Sequence, residues 1–589
     1  MKKQTSTLRL RVLARLWRYL GYHKALLLLS MLLSVGAGAL ALYGPKLSGE
    51  AINLIEAGPG NIPLDRILVL VLWMLGCYLA SAVLTYLLRV VMIRLSRHVA
   101  RRMRHDVFEK LTTLPVSYFD SRSGGDIVSV ITYDVETVNQ SLSSDFVQIV
   151  QSAVTVLVSL VMMLTIAPIL VLIFAVTIPF TVWFTRWMAG RVRPMFRHRS
   201  KKLGELNGFV EEMLAGQKTI RAYGREEAVL AAFDRKNTEA VEAYTRTEAN
   251  GTVTGPSVMA INNVSLALVS VMGALLYLRG GIRLGDLAAF VQYSRKFSGP
   301  INEVANIVAE LQSAVAAAER VFALIDAEPE PPDAEDAAAV DAVRGEVSFS
   351  DVAFSYVEGT PIIKGLDLHA TPGSLVAIVG PTGAGKTTLI NLLMRFYDIG
   401  SGVITLDGRD IRTLRRDDLR RAFAMVLQDP FLFRGTVYEN IAYGRPSATR
   451  QEVEAAARAA HIHSYIMTLP EGYDTVLTDN GAGISKGQRQ LLTIARAMLT
   501  DAPMLILDEA TSNVDTTTEL EIHDAMQTLM QGRTSFVIAH RLSTIQNADV
   551  ILVMRDGRIV EMGTHDELVS QDSFYRALYL AQFDTLAEE

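Results

Sequence analysis

Eight consecutive residues, Gly380-Pro381-Thr382-Gly383-Ala384-Gly385-Lys386-Thr387, join three glycines to a lysine and a hydroxyl. Glycines at this spacing let backbone N–H groups turn inward around an anion. The lysine can neutralise β- and γ-phosphates, and the threonine hydroxyl can bind Mg²⁺. The β-branched apolar run Leu375–Val379 precedes them and reads as a buried strand; Thr388–Phe396 follows and reads as a helix whose N-terminus adds favourable partial charge. This strand–loop–helix context separates the motif from a chance glycine-rich turn. A second apolar run, Met504-Leu505-Ile506-Leu507, ends in Asp508-Glu509. A carboxylate ending a buried strand suits Asp508 to a Mg²⁺-linked role, and Glu509 beside it suits polarising an attacking water.

These residues need a frame, and the frame is not that of an ordinary soluble protein. Of 589 residues, 50% are hydrophobic, and mean hydropathy is +0.25. That is too apolar for a chain with 20% charged residues unless part of it crosses a membrane. The modest glycine and proline content excludes a disordered or fibrous chain. The single cysteine, Cys77, permits no internal disulfide and no cysteine-built metal site, and it sits in an apolar run.

Charge divides the chain in two. Up to Ile325 there are 35 basic and 23 acidic residues; from Asp326 on there are 22 and 39. The first part is basic and apolar, the second acidic and soluble in character. Six apolar stretches lie in the first part: Lys24–Tyr43, Ile67–Ile93, Phe146–Ile166, Ile169–Trp187, Ser257–Leu278 and Leu287–Val308. Each is about 20 residues or more, enough to cross the hydrocarbon core as a helix. Basic residues cluster before the first span, after the second and after the fourth, while the loop between spans one and two has only Lys46 near its start. The positive-inside rule then puts the N-terminus, both long loops and the C-terminal domain in the cytoplasm of a multi-pass cell-membrane protein. No small-residue cleavage pattern closes the first span, which speaks against a cleaved signal peptide.

Leu8–Leu20 alternates apolar residues with arginines, as an amphipathic helix on the inner membrane surface would. The two long loops carry helical patterns, so helices should extend well below the bilayer. The acidic, proline-containing stretch Glu328–Asp341 reads as a linker. The expected fold is a bundle of six membrane helices over residues 1–325, a linker over 326–344, and an α/β P-loop nucleotide-binding domain over 345–589.

With these residues in place, the chain resembles an ATP-binding cassette exporter half-transporter along nearly its whole length. The family's motifs follow the P-loop in order: Gln428 in Val-Leu-Gln-Asp-Pro, a signature region around Ser485-Lys486-Gly487-Gln488, Asp508-Glu509, Asp515, and His540 in Ala-His-Arg-Leu-Ser. The resemblance implies ATP and Mg²⁺ as ligands. It implies that Tyr356 stacks on adenine, and that Gly380 through Thr387 with Thr388 hold the phosphates. Thr387, Gln428 and Asp508 would serve Mg²⁺. Glu509 would act as general base, and His540 would contact the γ-phosphate. Ser485, Gly487 and Gln488 would close over the ATP of the opposite subunit. Thr436–Ile441, the Phe119-Asp120 region and the Glu211–Glu226 region resemble the segments that link nucleotide domains to membrane helices.

The chain departs from the family pattern mildly at Ile484, where the signature has leucine, and in Ser512-Asn513-Val514-Asp515, and more seriously at one further position. Lys486 stands where the signature has a glycine, and a Cβ with a charged stem should disturb close approach to the γ-phosphate. A good Glu509 and His540 beside a poor signature point to a heterodimer with a second, non-identical half-transporter; a homodimer is the alternative. The resemblance makes export of hydrophobic or amphipathic compounds of the multidrug type the first expectation, with a peptide or lipid exporter second. Arg295 and Lys296 in the sixth span either line a substrate cavity or pair with Glu303 or the partner. Six spans argue against a nucleic-acid partner.

Overall fold

A computed structural model of the chain describes residues 2–56, 62–340, 342–357, 359–478, 481, 483–508, 515–539 and 542–583; the side chains of 2–10, 301–306, 308, 309, 516, 542, 543 and 581–583 lie outside that set. The chain divides into two compact units. One comprises residues 1–112 and 124–327; the other comprises 113–123 and 328–589.

The first unit is all helical: α1 (Lys2–Gly21), α2 (Lys24–Ile55), α3 (Leu64–Leu111), α5 (Gly124–Ser129), α6 (Val135–Gln140), α7 (Phe146–Ile166), α8 (Pro168–Ala215), α9 (Gln217–Ala222), α10 (Glu226–Thr252), α11 (Thr254–Leu278) and α12 (Leu284–Ile325). Helix α4 (Val116–Asp120) belongs to the second unit. Five of the six expected spans fall in segments long and apolar enough to cross a membrane. The sixth lies in α12, several of whose side chains are outside the described set. Helices α3 and α8 have 48 residues each. At ~1.5 Å per residue each is about 72 Å long, more than twice a bilayer core.

The core of this unit gathers Leu42, Met163, Phe174, Phe290, Tyr293 and Phe297. Large apolar side chains such as Leu72 and Trp73 stay exposed, as lipid-facing groups do. Helices α2 and α12 meet backbone to backbone, because a Cβ on Gly49 would lie 2.5 Å from the Gly285 carbonyl oxygen. Two π-helical turns, Val130–Asp134 and Ser141–Asp145, interrupt the run from α5 to α7. The first carries Asp134, whose buried carboxylate takes two hydrogen bonds from Arg320, at 2.8 and 2.5 Å.

Helix α1 differs from a helix merely lying on a membrane. Val12, Leu16, Tyr19 and Leu20 are buried in the bundle, Tyr19 donates to Asp106 at 2.6 Å, and Arg15 grips both oxygens of Asp326. Its apolar stripe therefore packs against α3 and α12 of its own chain.

The second unit holds two larger sheets. One is antiparallel, in the order β2 (Ile363–Ala370), β1 (Val347–Phe354), β4 (Ser401–Leu406), β5 (Arg409–Asp410). The other runs β12 (Arg558–Gly563), β11 (Val550–Arg555), β3 (Leu375–Val379), β10 (Thr534–Ile538), β9 (Met504–Asp508), β6 (Phe423–Val426); only the β11–β12 pair is antiparallel. A two-residue pair, β7 (Gly435–Thr436) and β8 (Val476–Leu477), stands apart. Strands β3 and β9 are nearly continuous apolar runs and β10 is buried along its whole length, as parallel strands covered on both faces are. One apolar core lies against the antiparallel sheet, and a second lies under the helices that follow β6 and β8.

The acidic segment after Ala327 is tied down. Glu330 pairs with Arg420 at 2.6 Å, Asp333 pairs with Arg416 at 3.0 Å, and Ala338 bridges to Leu414. Its composition is that of a linker, but its carboxylates dock on a basic helix end.

Candidate nucleotide site

The parallel strands β3, β6, β9 and β10 end at one edge of the sheet. Register puts Ile378 and Asp508 on either side of Ile538. Ligands of open α/β sheets bind at this carboxyl edge, and the sequence motifs converge on it. The phosphate loop leaves β3 directly. Its glycines are required by geometry: Gly383 and Gly385 have φ of 84° and 102°, and a Cβ on Gly380 would run into the Met554 carbonyl. Helix α13 (Lys386–Leu393) follows with no side-chain cap at its N-terminus, so its first N–H groups are open to an anion.

Lys386 turns back over the loop and donates to the carbonyls of Gly380 at 2.6 Å and Pro381 at 3.1 Å. Burial pushes its pKa down from the ordinary lysine value, and the nearby Asp508 carboxylate opposes that shift. An ammonium whose hydrogen bonds go to loop carbonyls is placed to exchange them for phosphate oxygens. Thr387 is exposed at the loop mouth, while Thr388 is buried. The residues present therefore fit a nucleoside triphosphate. No group of three or more His, Cys, Asp or Glu side chains capable of holding a metal occurs among the described residues. A Mg²⁺ served by the Thr387 hydroxyl, the Gln428 amide and the Asp508 carboxylate would complete its shell with phosphates and water, as Mg²⁺ commonly does.

Gln428 is exposed just past the end of β6. Glu509 and His540 lie outside the described residues; the chain is described up to Asp508 at the end of β9, and Ala539 beyond β10 donates to the Ile378 carbonyl at 3.2 Å. Tyr356 is 44% exposed, with its hydroxyl 3.3 Å from that of Thr388 and 3.2 Å from the Asn391 amide. Its ring meets Phe354 and Tyr397 edge-on, each with centroids 4.9 Å apart. This holds an aromatic face beside the phosphate-loop helix, available for a base to stack on.

The signature residues open a helix of their own. Ser485 caps the helix Lys486–Thr500 and forms a reciprocal box with Gln488. Gly487 is buried, and the Lys486 ammonium stands 3.5 Å from the Asp429 carboxylate, next to Gln428. Asp515 caps the helix Thr516–Met530 by accepting from the Thr518 N–H, which holds its carboxyl below the usual range.

Two relationships were not visible in the motifs. Tyr397 donates to Asp120 at 2.5 Å, tying the Tyr356 platform to the segment 113–123. Arg496, on the signature helix, donates to the carbonyls of Asn440 and Phe431 at 2.8 and 3.1 Å and lies over the Phe433 and Tyr443 rings. It welds that helix to the Thr436–Ile441 segment.

In the membrane unit the polar residues of the expected sixth span, Tyr293 among them, separate. Tyr293 is fully buried and donates to the Leu42 carbonyl at 2.7 Å, which makes it core. Lys296 is half-buried and donates to the Ala41 carbonyl at 3.3 Å. Pro45, four residues on, has no N–H to offer that carbonyl. Arg295 is exposed, and the side chain of Glu303 lies outside the described residues.

Comparison with known proteins places this architecture. Residues 27–301 match the ABC transporter transmembrane region and residues 363–512 match the ABC transporter family. The chain is 43% identical, over 97% of its length and 94% of the relative's, to the uncharacterized ABC transporter ATP-binding protein YfiC of Bacillus subtilis. It is 44% identical to a fatty acid ABC transporter ATP-binding/permease protein of Mycobacterium bovis, covering 85% of this chain and 79% of that one. It is 37% identical to an ATP-dependent lipid A-core flippase of Chromobacterium violaceum, covering 96% of each. Among solved structures, a bacterial Atm1-family ABC exporter with ATP bound superposes with a TM-score of 0.79 at 29% identity, covering 95% of this chain and 98% of that one. The chain belongs to the ABC transporters, as an exporter-type half-transporter that joins a membrane region to an ATP-binding domain and couples ATP hydrolysis to transport.

Proposed function

We propose that this chain is half of an exporter that moves a lipid or fatty-acid-type amphiphile across the cell membrane, with the nucleotide unit and both long loops in the cytoplasm. The relatives reported above whose names state a cargo carry lipid-class cargo, which favours this reading over multidrug export. The observation that carries it in this chain is Lys296. With the sixth span over Leu287–Val308, its ammonium would lie at membrane depth, where it spends one of three N–H donors on the Ala41 carbonyl. A cation held among apolar helices suits an anionic headgroup on a hydrocarbon tail.

In the cycle proposed, the loop from Gly380 to Thr387 and the N-terminus of α13 hold the triphosphate, and Lys386 neutralises its outer charges. Tyr356 orients the base. Mg²⁺, when bound, neutralises charge developing on the phosphates. Glu509 takes a proton from the attacking water, and His540 steadies the γ-phosphate. The partner subunit is proposed to be non-identical, because Lys486 puts a charged stem where the signature needs a close backbone approach; a homodimer is the second reading.

The test is reconstitution. Vesicles containing the chain, alone and with a co-purified partner, are given Mg²⁺-ATP and a fluorescent fatty acid, phospholipid, peptide or cationic dye. ATP-dependent movement of the lipid-class probes, reduced by Lys296→Gln, is expected. Movement of the dye alone would restore the multidrug reading, and full turnover by the chain alone would remove the need for a different partner.

A further inference from the structure

Beneath α1 the membrane unit holds an apolar pocket of about 210 Å³. Leu16 and Leu20 form its roof, Val138, Ser141 and Phe146 one wall, and Ala314 of α12 another, with the Ser141 hydroxyl its main polar feature. Leu13 and Trp17 stand at its rim, 45% and 51% exposed, and the Trp17 ring meets Phe146 at 6.4 Å. Its lining is almost wholly apolar and its rim is open, a shape that suits a hydrocarbon chain entering from the side. It lies at the start of α7, where the third apolar span begins, and so at the bilayer's inner margin on the orientation proposed above.

The helix that roofs the pocket is charged on its other edge. Arg15 is taken by Asp326. Arg11 and Arg18, seven residues apart and thus on one line of the helix, are exposed and have no acidic partner among the described residues. One element therefore presents an apolar slot on one side and two exposed cations on the other. We infer that this pocket binds an acyl chain of an anionic phospholipid from the surrounding leaflet, with the headgroup drawn to Arg11 and Arg18. The inference concerns a resident lipid and does not depend on the transported cargo being a lipid.

Trp17 makes the test direct. The full chain, with Trp73, Trp183 and Trp187 replaced by phenylalanine, is placed in bilayers containing phosphatidylglycerol or phosphatidylcholine with brominated acyl chains, which quench nearby tryptophan. Trp17 should favour the anionic lipid about fivefold or more, the preference that one or two arginines supply at a membrane surface. The double substitution Arg11→Gln, Arg18→Gln should abolish that preference, and Ala314→Phe should lower quenching by both lipids. A chain keeping only Trp73, on the exposed face of α3, serves as the bulk-lipid reporter without altering the pocket and should show no preference. Equal quenching of Trp17 by the two lipids, or the same preference at Trp73, would overturn the inference. So would quenching unchanged in a folded Ala314→Phe chain.

Discussion

The hydroxyl of Tyr397 donates to the carboxylate of Asp120 at 2.5 Å, across 277 residues of sequence. The same ring packs edge-on against Tyr356. One side chain thus touches both the platform offered to a base and the short segment 113–123 that interrupts the membrane unit in sequence. Tyr397→Phe keeps the ring contact and loses the hydrogen bond, which is worth about 1.5–3 kcal/mol when one partner is charged. We expect KM for ATP within about twofold of the parent, an experimental margin set against the tenfold that ~1.4 kcal/mol represents, and weaker stimulation of ATP turnover by transported substrate. Tyr397→Ala should also raise KM for ATP. Steady-state kinetics with and without substrate separate the two.

The same hydroxyl predicts a pH dependence. Burial first, and then the bond to Asp120, push its pKa above the ordinary tyrosine value. The protonated form is the one the fold favours. Its contribution is complete below about pH 10, the unperturbed tyrosine value, and is lost as the pH rises through the raised value. Thermal unfolding of the parent and of Tyr397→Phe should therefore differ by a constant amount from pH 6 to 9 and converge only in stronger alkali.

Lys386 and Glu509 should fail differently. Lys386→Ala removes the ammonium that lies over the phosphate loop and should weaken ATP binding by tenfold or more, the ~1.4 kcal/mol or more expected of a charge-assisted contact. Glu509→Gln should bind ATP normally and lower turnover roughly 10²–10⁴-fold, the range for loss of a general base. Equilibrium binding of a fluorescent nucleotide, read beside phosphate release, checks both. Turnover near the parent's rate in Glu509→Gln would remove that residue from the role.

Lys486 gives a sharper test of the assembly. Its pair with Asp429, whose side chain is 90% exposed, should contribute no more than about 1 kcal/mol. Lys486→Gly should thus leave the melting temperature nearly unchanged. In the complex with a non-identical partner it should raise turnover at the partner's nucleotide site, and in a homodimer at both sites. Unchanged turnover in every assembly would mean that the lysine is tolerated.

Arg496 is a structural prediction. Burial lowers its pKa, yet it stays a cation satisfied by carbonyls and two aromatic faces. Arg496→Ala leaves those carbonyls without their donor and should cost about 2–4 kcal/mol. Asn440→Ala removes part of the same network, so the double substitution should cost less than the sum. Denaturant titration of the full chain reads all three.

Local patterns in this chain were legible and distant pairings were not. The strand Leu375–Val379, the loop after it and the run ending at Asp508 announce themselves because each is a short stretch with one required conformation. The apolar spans are legible because the bilayer imposes a length. Tyr397 with Asp120, and Arg496 with Asn440, leave no such trace, since neither partner's neighbours change character to accommodate the other. Helix α1 shows the limit in another way. Its amphipathic pattern is plain, but periodicity reports only that one face is covered, and that face is covered by α3 and α12. In the sequence Lys296 reads either as cavity lining or as a partner of Glu303 or of the other subunit; its bond to the Ala41 carbonyl, which Pro45 leaves without a helical donor, is a contact neither reading contains.

The two π turns between α5 and α7 carry a consequence for indels. Each wide turn accommodates one residue more than regular winding would. Deleting a single residue from 130–133 should therefore restore ordinary winding and leave the helices on either side in phase, so that Asp134 keeps facing Arg320. The same deletion within the regular winding of α7 would rotate everything upstream by about 100°. A one-codon deletion should thus act as slack taken up in the π turn and as a phase error in a screw thread a few turns downstream.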